Sequence, residues 1–85
     1  MSEKDFEVGH VIHYFAKIGV AVVELCATLK VGDHIVVKGT TTDFEQEVAS
    51  MQIEHEDVAA AQSGTLIGLK VEQRVRDKDV VYKKL

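Results

Sequence analysis

Short apolar runs alternate with turn-forming residues along the whole chain of 85 residues, which contains no proline. Four of its six glycines, at positions 19, 32, 39 and 64, fall between these runs, where a turn requires a residue that tolerates positive φ. The glycines divide the chain into six strand-length pieces, residues 6–16, 20–26, 34–38, 43–54, 65–73 and 80–84. Short strands at this regular spacing predict an all-β domain, either a barrel or a sandwich.

The fourth piece carries the clearest two-residue alternation. Acidic residues at positions 43, 45 and 47 alternate with Phe44 and are followed by Val48, which predicts a polar outer face and an apolar inner one. Met51 and Ile53 have the opposite parity, so an extra residue must be absorbed near residues 49–50 if all four apolar side chains face the core. We therefore expect a β-bulge there, which would also bend the sheet.

Two segments also admit helical interpretations. Residues 57–64 begin with an N-cap candidate, Asp57, contain three alanines and end at Gly64, which favours a connecting helix of one or two turns. Residues 14–30 contain alanines and leucines that would suit one long helix, but Gly19 and β-branched residues such as Val22 argue against it. We predict strands for that second segment.

Length and composition indicate a single domain. Apolar residues make up 46% of the chain, charged residues 28%, and the formal net charge is −4, as in ordinary folded proteins. We expect a flexible tail at residues 1–5 and one domain at residues 6–85. No apolar run is long enough to span a membrane. Cys26 is the only cysteine, so we predict a cytoplasmic protein with a buried structural thiol and no intramolecular disulfide.

The sequence lacks the motifs of the common enzyme classes. It has no Gly-rich phosphate loop, no Gly-x-Ser-x-Gly elbow and no paired-histidine metal motif. His10 and His13 differ by an odd number, so in a regular strand they point to opposite faces, and a shared metal site would need a bulge to realign them. We predict no catalytic activity, no bound nucleotide triphosphate, no metal and no cofactor.

Two charged sets are candidates for partner contacts. Residues 70–84 hold six basic side chains against three carboxylates, whereas residues 1–69 hold four against eleven. The basic set forms either an anion-binding face or a solvated strand pair; it comprises Lys70, Arg74, Arg76, Lys78, Lys83 and Lys84. The acidic set forms either a solvated outer face or a docking patch for a basic protein; it comprises Asp43, Glu45, Glu47, Glu54, Glu56 and Asp57.

Four sequence blocks carry a resemblance to a known family. They are the turn and strand at residues 29–39 (LKVGDHIVVKG), then VASM at 48–51, GTLIGL at 64–69 and DKDVVY at 77–82. In this order and spacing, from about Val8 to Lys83, they resemble the second domain of translational GTPases such as elongation factor Tu. The resemblance implies a small closed six-stranded antiparallel β-barrel of the translation-factor domain-two type, without the GTPase motif.

The resemblance also implies a place for a partner. In that family the blocks matched by residues 48–51 and 64–69 border the pocket for the aminoacylated end of transfer RNA. The chain departs from the family pattern at residues 52–56 (QIEHE), where the family turns basic, and at residues 65–66, where it has a polar pair. Similar domains occur at the C-terminus of collagenase-like peptidases and as free-standing archaeal proteins of about this size.

We therefore predict a non-catalytic, translation elongation factor-like binding module that docks RNA, such as a tRNA end or ribosomal RNA, or a translation-related protein. The candidate contacts are Lys70, Arg74 and Arg76 for phosphate, and Met51, Ile53 and Leu66 near an apolar pocket. The alternative is a protein–protein interaction or adaptor domain, such as the accessory barrel of a collagenase-like peptidase, with no RNA contact. The net negative charge favours this alternative, and the oligomeric state stays open.

Overall fold

Ten β-strands make up the fold in a computed structural model that describes residues 5–84. The longer strands are β1 (Asp5–Phe15), β2 (Val20–Leu25), β4 (His34–Lys38), β5 (Asp43–Glu47), β9 (Leu66–Lys70) and β10 (Val80–Lys84). The shorter strands are β3 (Leu29–Lys30), β6 (Met51–Ile53), β7 (Glu56–Val58) and β8 (Ala60–Ala61). The predicted all-β class is confirmed, because none of the described residues is helical.

The predicted tail lies almost wholly outside the described residues. Residues 1–4 are not described, and the backbone of Asp5 pairs with Lys84 at the start of β1. Within residues 5–84, no helix is long and apolar enough to cross a membrane.

Eight strands form one antiparallel sheet in the order β5-β4-β10-β1-β2-β9-β6-β7, and β3 pairs with β8 in a separate two-stranded sheet. The predicted closed six-stranded barrel is therefore wrong: the sheet is open, with eight strands and with β5 and β7 at its edges. The difference arises because the predicted strand 43–54 splits. Its first half, β5, pairs with β4 at one edge, while its second half, β6, pairs with β9 near the other.

The segment between β5 and β6 replaces the predicted β-bulge. The backbone N–H of Val48 donates to the carbonyl of Asp33 at 2.8 Å, and the Val48 carbonyl accepts from Gly32 at 2.9 Å. Only residues 48–50 separate the two strands. The four Cα–Cα steps from Glu47 to Met51 span at most about 14 Å. Because the chain runs so directly from one end of the sheet to the other, the sheet must curl until its ends approach.

The core lies on the inner face of this curl. The predicted change of parity is observed, since Phe44 and Val48 are buried and so is Met51. Alternate side chains of β2 and β9 also point inward, and these are Ala21, Val23, Leu25, Ile67 and Leu69. Full burial of a Val, Leu or Ile side chain contributes roughly 1.5–3 kcal/mol. The residues between them in β2 and β9 consequently lie on the outer face.

Two bulges in β1 change which side chains share a face. The register against β10 shifts between Glu7 and Gly9, and the register against β2 shifts between Val11 and His13. His10 therefore lies opposite Glu24, and His13 lies opposite Val22 on the same outer face. In a regular strand the two histidines would point to opposite faces, and the bulge is what brings them to the same face.

The predicted helix at residues 57–64 is also wrong. Residues 56–58 pair with β6 as an antiparallel hairpin, and Ala60 and Ala61 pair with Lys30 and Leu29. Eight residues are too few to hold a helix by propensity alone, because nucleation is costly. Pairing with β6 and β3 and burial of Ala61 override the helical preference of the alanines.

The turn at residues 29–33 has the predicted form. Gly32 adopts φ +97°, and β4 follows directly. The Asp33 carboxylate accepts a hydrogen bond from the Lys30 backbone N–H at 2.9 Å and forms an ion pair with Lys83 at 3.3 Å. The Asp33 side chain therefore stabilises the turn and also links it to β10.

Candidate functional site

The outer face of the sheet carries an apolar groove of about 230 Å³, formed by β1, β2, β9 and β6. The register places its members side by side: Phe15 lies opposite Val20, and Val22 lies opposite Gly68. Ile18, in the turn between β1 and β2, and Leu66, at the start of β9, stand at its walls. We call this feature the Gly68 groove.

Large apolar side chains are exposed around the Gly68 groove. Phe15 is 47% exposed, Ile18 58% and Leu66 52%. Six large hydrophobic side chains are exposed among the described residues, so half of them border one depression. Scattered exposed hydrophobic residues are ordinary, but a contiguous set marks a binding surface.

Gly68 creates the depression, because it leaves the centre of β9 without a side chain on the outer face. A Cβ atom at this position would lie 3.3 Å from Cγ1 of Val20 and 4.0 Å from the carbonyl oxygen of Gln52. Its register partners are Val22 on β2 and Gln52 on β6. Any side chain here would project into the groove.

The hairpin between β6 and β7 forms the polar side of the groove. Glu54 and His55 connect Ile53 to Glu56 in a two-residue turn, and both line the groove. Their φ values are +52° and +69°, a conformation that suits Asn-Gly and costs other residues roughly 1–2 kcal/mol each. The chain thus holds a carboxylate and an imidazole at the groove in a strained turn.

The structure separates the six sequence-predicted contact residues. Leu66 lies at the Gly68 groove. Met51 is 1% exposed and belongs to the core, so it offers no surface to a ligand. Ile53 is half-buried and borders a different depression, of about 350 Å³, together with Glu56 and Val58.

The three predicted basic contacts are also not together. The Lys70 ammonium donates to the carbonyl of Ile18 at 2.9 Å, at the end of the Gly68 groove away from the hairpin. Arg74 and Arg76 flank the buried Val75 and line a separate depression of about 280 Å³ beside His13. Whether these side chains bind anything stays a prediction, but they do not form one site with Leu66.

The charged residues are likewise distributed over several places. Glu45 accepts hydrogen bonds from His34 at 2.8 Å and from Lys84 at 3.3 Å. These contacts, first His34 and then Lys84, lower the pKa of the Glu45 carboxyl below its ordinary 4.5. Of the predicted acidic set, Asp43, Glu45 and Glu47 lie on the edge strand β5, whereas the other three lie on the β6–β7 hairpin.

The side chains of Cys26 and His10 contact a backbone carbonyl and a carboxylate, respectively. Cys26 is exposed, so the predicted buried thiol is wrong, and its sulfur lies 3.6 Å from the Glu7 carbonyl oxygen. His10 pairs with Glu24 at 3.5 Å. Among residues 5–84 no three His, Cys, Asp or Glu side chains are grouped as metal ligands.

Sequence reasoning missed most of the Gly68 groove. Residues 20–23, Val-Ala-Val-Val, are apolar on both faces of β2, so a period-two pattern cannot show that one face is solvent-exposed. The turn residue Ile18 gave a usable signal, since a large aliphatic residue in a turn is unusual for a purely structural loop.

Comparison with curated proteins places the chain beside proteases. It is 42% identical over 80 residues to an uncharacterized protease of Methanocaldococcus jannaschii, covering 93% of this chain and 20% of the relative. It is 37% identical over 78 residues to a collagenase of Porphyromonas gingivalis, covering 89% of this chain and 22% of that protein. The chain therefore spans about a fifth of the length of the curated relatives it matches. No known family profile matches it.

Solved structures identify the architecture. The C-terminal domain of a predicted U32 peptidase from Geobacillus thermoleovorans superposes with a TM-score of 0.87, at 20% identity, over 100% of this chain and 98% of that domain. The chain has the same fold as that domain. A selenomethionine form of the same domain gives a TM-score of 0.85 over 89% of this chain and 96% of that domain, again at 20% identity.

These comparisons overturn the resemblance to the second domain of translational GTPases. The curated relatives of the chain are a protease and a collagenase. Both similar solved structures are of the C-terminal domain of a U32 peptidase. The blocks that suggested the resemblance encode a Gly-Asp turn and short strands, which are features of small β-domains in general. The predicted elongation factor-like, RNA-docking function is therefore also wrong. The alternative prediction of a peptidase-associated interaction domain agrees better with these comparisons.

Proposed function

We propose that this chain is a non-catalytic accessory domain of a collagenase-like U32 peptidase system and that it contacts another protein through the Gly68 groove. The observation that carries the proposal is the match of 80 residues, at 42% identity, to one fifth of a protease. A segment of that size corresponds to a domain and not to a whole peptidase.

The contacts of the reactive side chains support a non-catalytic role. The exposed thiol of Cys26 is directed to a backbone carbonyl, whereas a nucleophile needs a base within hydrogen-bond reach. His10 and His34 are engaged with Glu24 and Glu45. Hydrolysis of a peptide bond would then be the task of another domain or chain.

The Gly68 groove supports protein contact in preference to other partners. Its walls are Phe15, Ile18 and Leu66, and the buried core of a protein interface is more apolar than the remaining surface and is enriched in aromatic residues such as Phe. The absence of disulfide-forming cysteine pairs, with Cys26 alone in the sequence, also leads us to propose a reducing, cytoplasmic setting.

Affinity capture tests the proposal. The purified chain is immobilised, incubated with nuclease-treated lysate of its source cells, and the retained proteins are identified by mass spectrometry. We expect enrichment of a U32-type peptidase by the wild type and its loss with Leu66→Ser. Val31→Ser is the matched control, because Val31 is similarly exposed, at 42%, but lies in the β3–β4 turn and not at the groove.

Two results would contradict the proposal. One is retention of the same partners by Leu66→Ser, which would move the contact elsewhere on the domain. The other is hydrolysis of gelatin by the purified chain alone, which would show that it is itself an enzyme.

A further inference from the structure

The chemistry around the Gly68 groove defines the kind of segment that would fill it. Its volume of about 230 Å³ exceeds the roughly 150 Å³ of a cavity known to hold benzene. One large aliphatic or aromatic side chain therefore fits, with the floor provided by Val20 and Val22. The depression is open to solvent on the outer face.

The polar contacts give the groove two unlike ends. Glu54 and His55 lie at the hairpin end, and the next strand adds the exposed carboxylates of Glu56 and Asp57. Each of the ion pairs formed among the described residues involves Glu24, Glu45 or Asp33 on the acidic side. Glu54 thus faces the groove without a cationic partner in the described part of the chain.

The opposite end is positively charged. Lys70 lies opposite Val20, and its ammonium is hydrogen-bonded to the Ile18 carbonyl at 2.9 Å. A guest with a cation beside its apolar side chain would gain attraction from Glu54 only if the cation pointed toward the hairpin. Charge complementarity therefore fixes both the character of the guest and its direction.

We propose that the Gly68 groove binds an extended segment of a protein partner in which a large apolar side chain lies over Gly68 and an adjacent Arg or Lys faces Glu54. This inference rests on the proposed role in protein contact and adds the chemistry of the segment recognised. The strained turn at Glu54 and His55 is consistent with it, since strain persists where side-chain placement matters.

Short capped peptides test the inference without any peptidase. Three probes differ only in one pair of residues: Leu-Arg, Leu-Glu and Ser-Arg, each between glycines. Amide resonances of the isotope-labelled chain are followed during titration at low salt. We expect the Leu-Arg peptide to bind about tenfold more tightly than the other two, with the largest shifts at Val22, Glu54 and Gly68.

Two variants test the apolar contact and the charged contact separately. Gly68→Ala, whose added Cβ meets Val20 at 3.3 Å, should weaken binding of all Leu-containing peptides, because the methyl group narrows the depression where the Leu side chain would lie. Glu54→Gln should abolish the preference for the Leu-Arg peptide over the Leu-Glu peptide. The affinity gained from Leu in place of Ser should stay unchanged. Glu47→Gln is the matched control, because Glu47 is an exposed carboxylate on β5 away from the groove.

Several outcomes would overturn the inference. These are equal binding of Leu-Arg and Leu-Glu, shifts confined to residues outside the groove, or no shifts with any probe. Concentration-dependent shifts in the absence of peptide, removed by Leu66→Ser, would assign the groove to a second copy of the chain instead. Capture of a peptidase by a chain that binds none of the peptides would leave the proposed function standing and reject the groove chemistry, so the two failures are distinguishable.

Discussion

The side-chain amide of Gln46 donates to the backbone carbonyl of Lys70 at 2.9 Å, across the gap between edge strand β5 and the end of β9. Its amide oxygen accepts from the backbone N–H of Glu72 at 2.8 Å. Gln46 is 5% exposed, and β5 and β9 are not neighbours in the sheet. One buried side chain therefore supplies the two hydrogen bonds that a backbone ladder would supply in a closed barrel.

We expect Gln46→Leu to destabilise the fold by about 1–3 kcal/mol, because it removes two hydrogen bonds and leaves a partly buried carbonyl and a partly buried N–H without this partner. Urea unfolding followed by circular dichroism measures the change. Gln73→Leu is the control, since Gln73 is exposed in the following loop. A loss below about 0.5 kcal/mol, typical of surface substitutions, would show that Gln46 does not hold the two ends of the sheet together.

The Gln46 contact also explains why the number of strands was predictable only in part. The alternation in residues 43–48 correctly placed Phe44 and Val48 inward, and the same parity places Gln46 inward, where a polar residue marks a special contact. The alternation cannot identify the hydrogen-bond partners of Gln46, because Lys70 and Glu72 lie 24 and 26 residues away in the sequence. Open and closed sheets have the same local alternation, so the sequence did not distinguish them.

Gly39 and Asp79 form a second contact that depends on a missing side chain. A Cβ on Gly39 would collide with the Asp79 carboxylate, which is 4% exposed and accepts from the Arg76 backbone N–H at 2.8 Å. We expect Gly39→Ala to cost about 1–3 kcal/mol in the free energy of unfolding, as overpacking does.

A double-mutant cycle checks the Gly39–Asp79 contact. In an Asp79→Ala background, which removes the carboxylate, Gly39→Ala should cost at least about 1 kcal/mol less than in the wild type. Urea unfolding of the four proteins gives the coupling energy. Additive effects of the two substitutions would mean that the alanine at position 39 is disfavoured for another reason.

The Glu45 ion pairs predict an acid-dependent loss of stability. The pKa of Glu45 is lowered by the hydrogen bond from His34 and then by that from Lys84. Because the folded pKa lies below the unfolded one, the stabilisation is fully present above about pH 4.5 and is lost as the pH falls through the folded pKa. It is small, since the pair is solvent-exposed.

Thermal unfolding between pH 3 and pH 6 compares the wild type with Glu45→Gln. We expect the melting temperatures of the two proteins to converge as the pH falls and to differ most above about pH 4.5. Added salt should reduce the difference. A constant gap across this range would mean that Glu45 contributes through packing and not through its charge.

The candidate site was less predictable than the fold, and Leu66 shows why. The resemblance to translational GTPases placed Leu66 and Met51 in the same predicted site. The two side chains lie on opposite faces of the sheet: Leu66 borders the groove, and Met51 is 1% exposed in the core. Their faces depend on register, which shifts wherever a strand breaks or bulges. The periodicity located a change of parity near residues 49–50 but did not show that the strand breaks there, and it gave no sign of the bulge at Val11 and His13.

The β6–β7 turn allows stability and recognition to be separated. Replacing Glu54 and His55 by Asn-Gly supplies the residues that a two-residue turn with two positive φ values prefers. We expect the free energy of unfolding to rise by about 1–2 kcal/mol in urea unfolding, because the strain is relieved. The same substitution should abolish the preference for a Leu-Arg over a Leu-Glu peptide, because the carboxylate at the groove is gone.

A single replacement, His55→Gly, provides the control for the turn. It should gain part of the stability while keeping Glu54 and the charge preference, since glycine removes the strain at position 55 only. If Asn-Gly raises stability without altering peptide preference, the acidic end of the Gly68 groove has no role in recognition. If it lowers stability, Glu54 and His55 make contacts that outweigh their backbone strain, and the turn has been retained for folding. Higher stability together with lost preference would mean that the chain keeps a less stable turn in order to present a carboxylate to its partner.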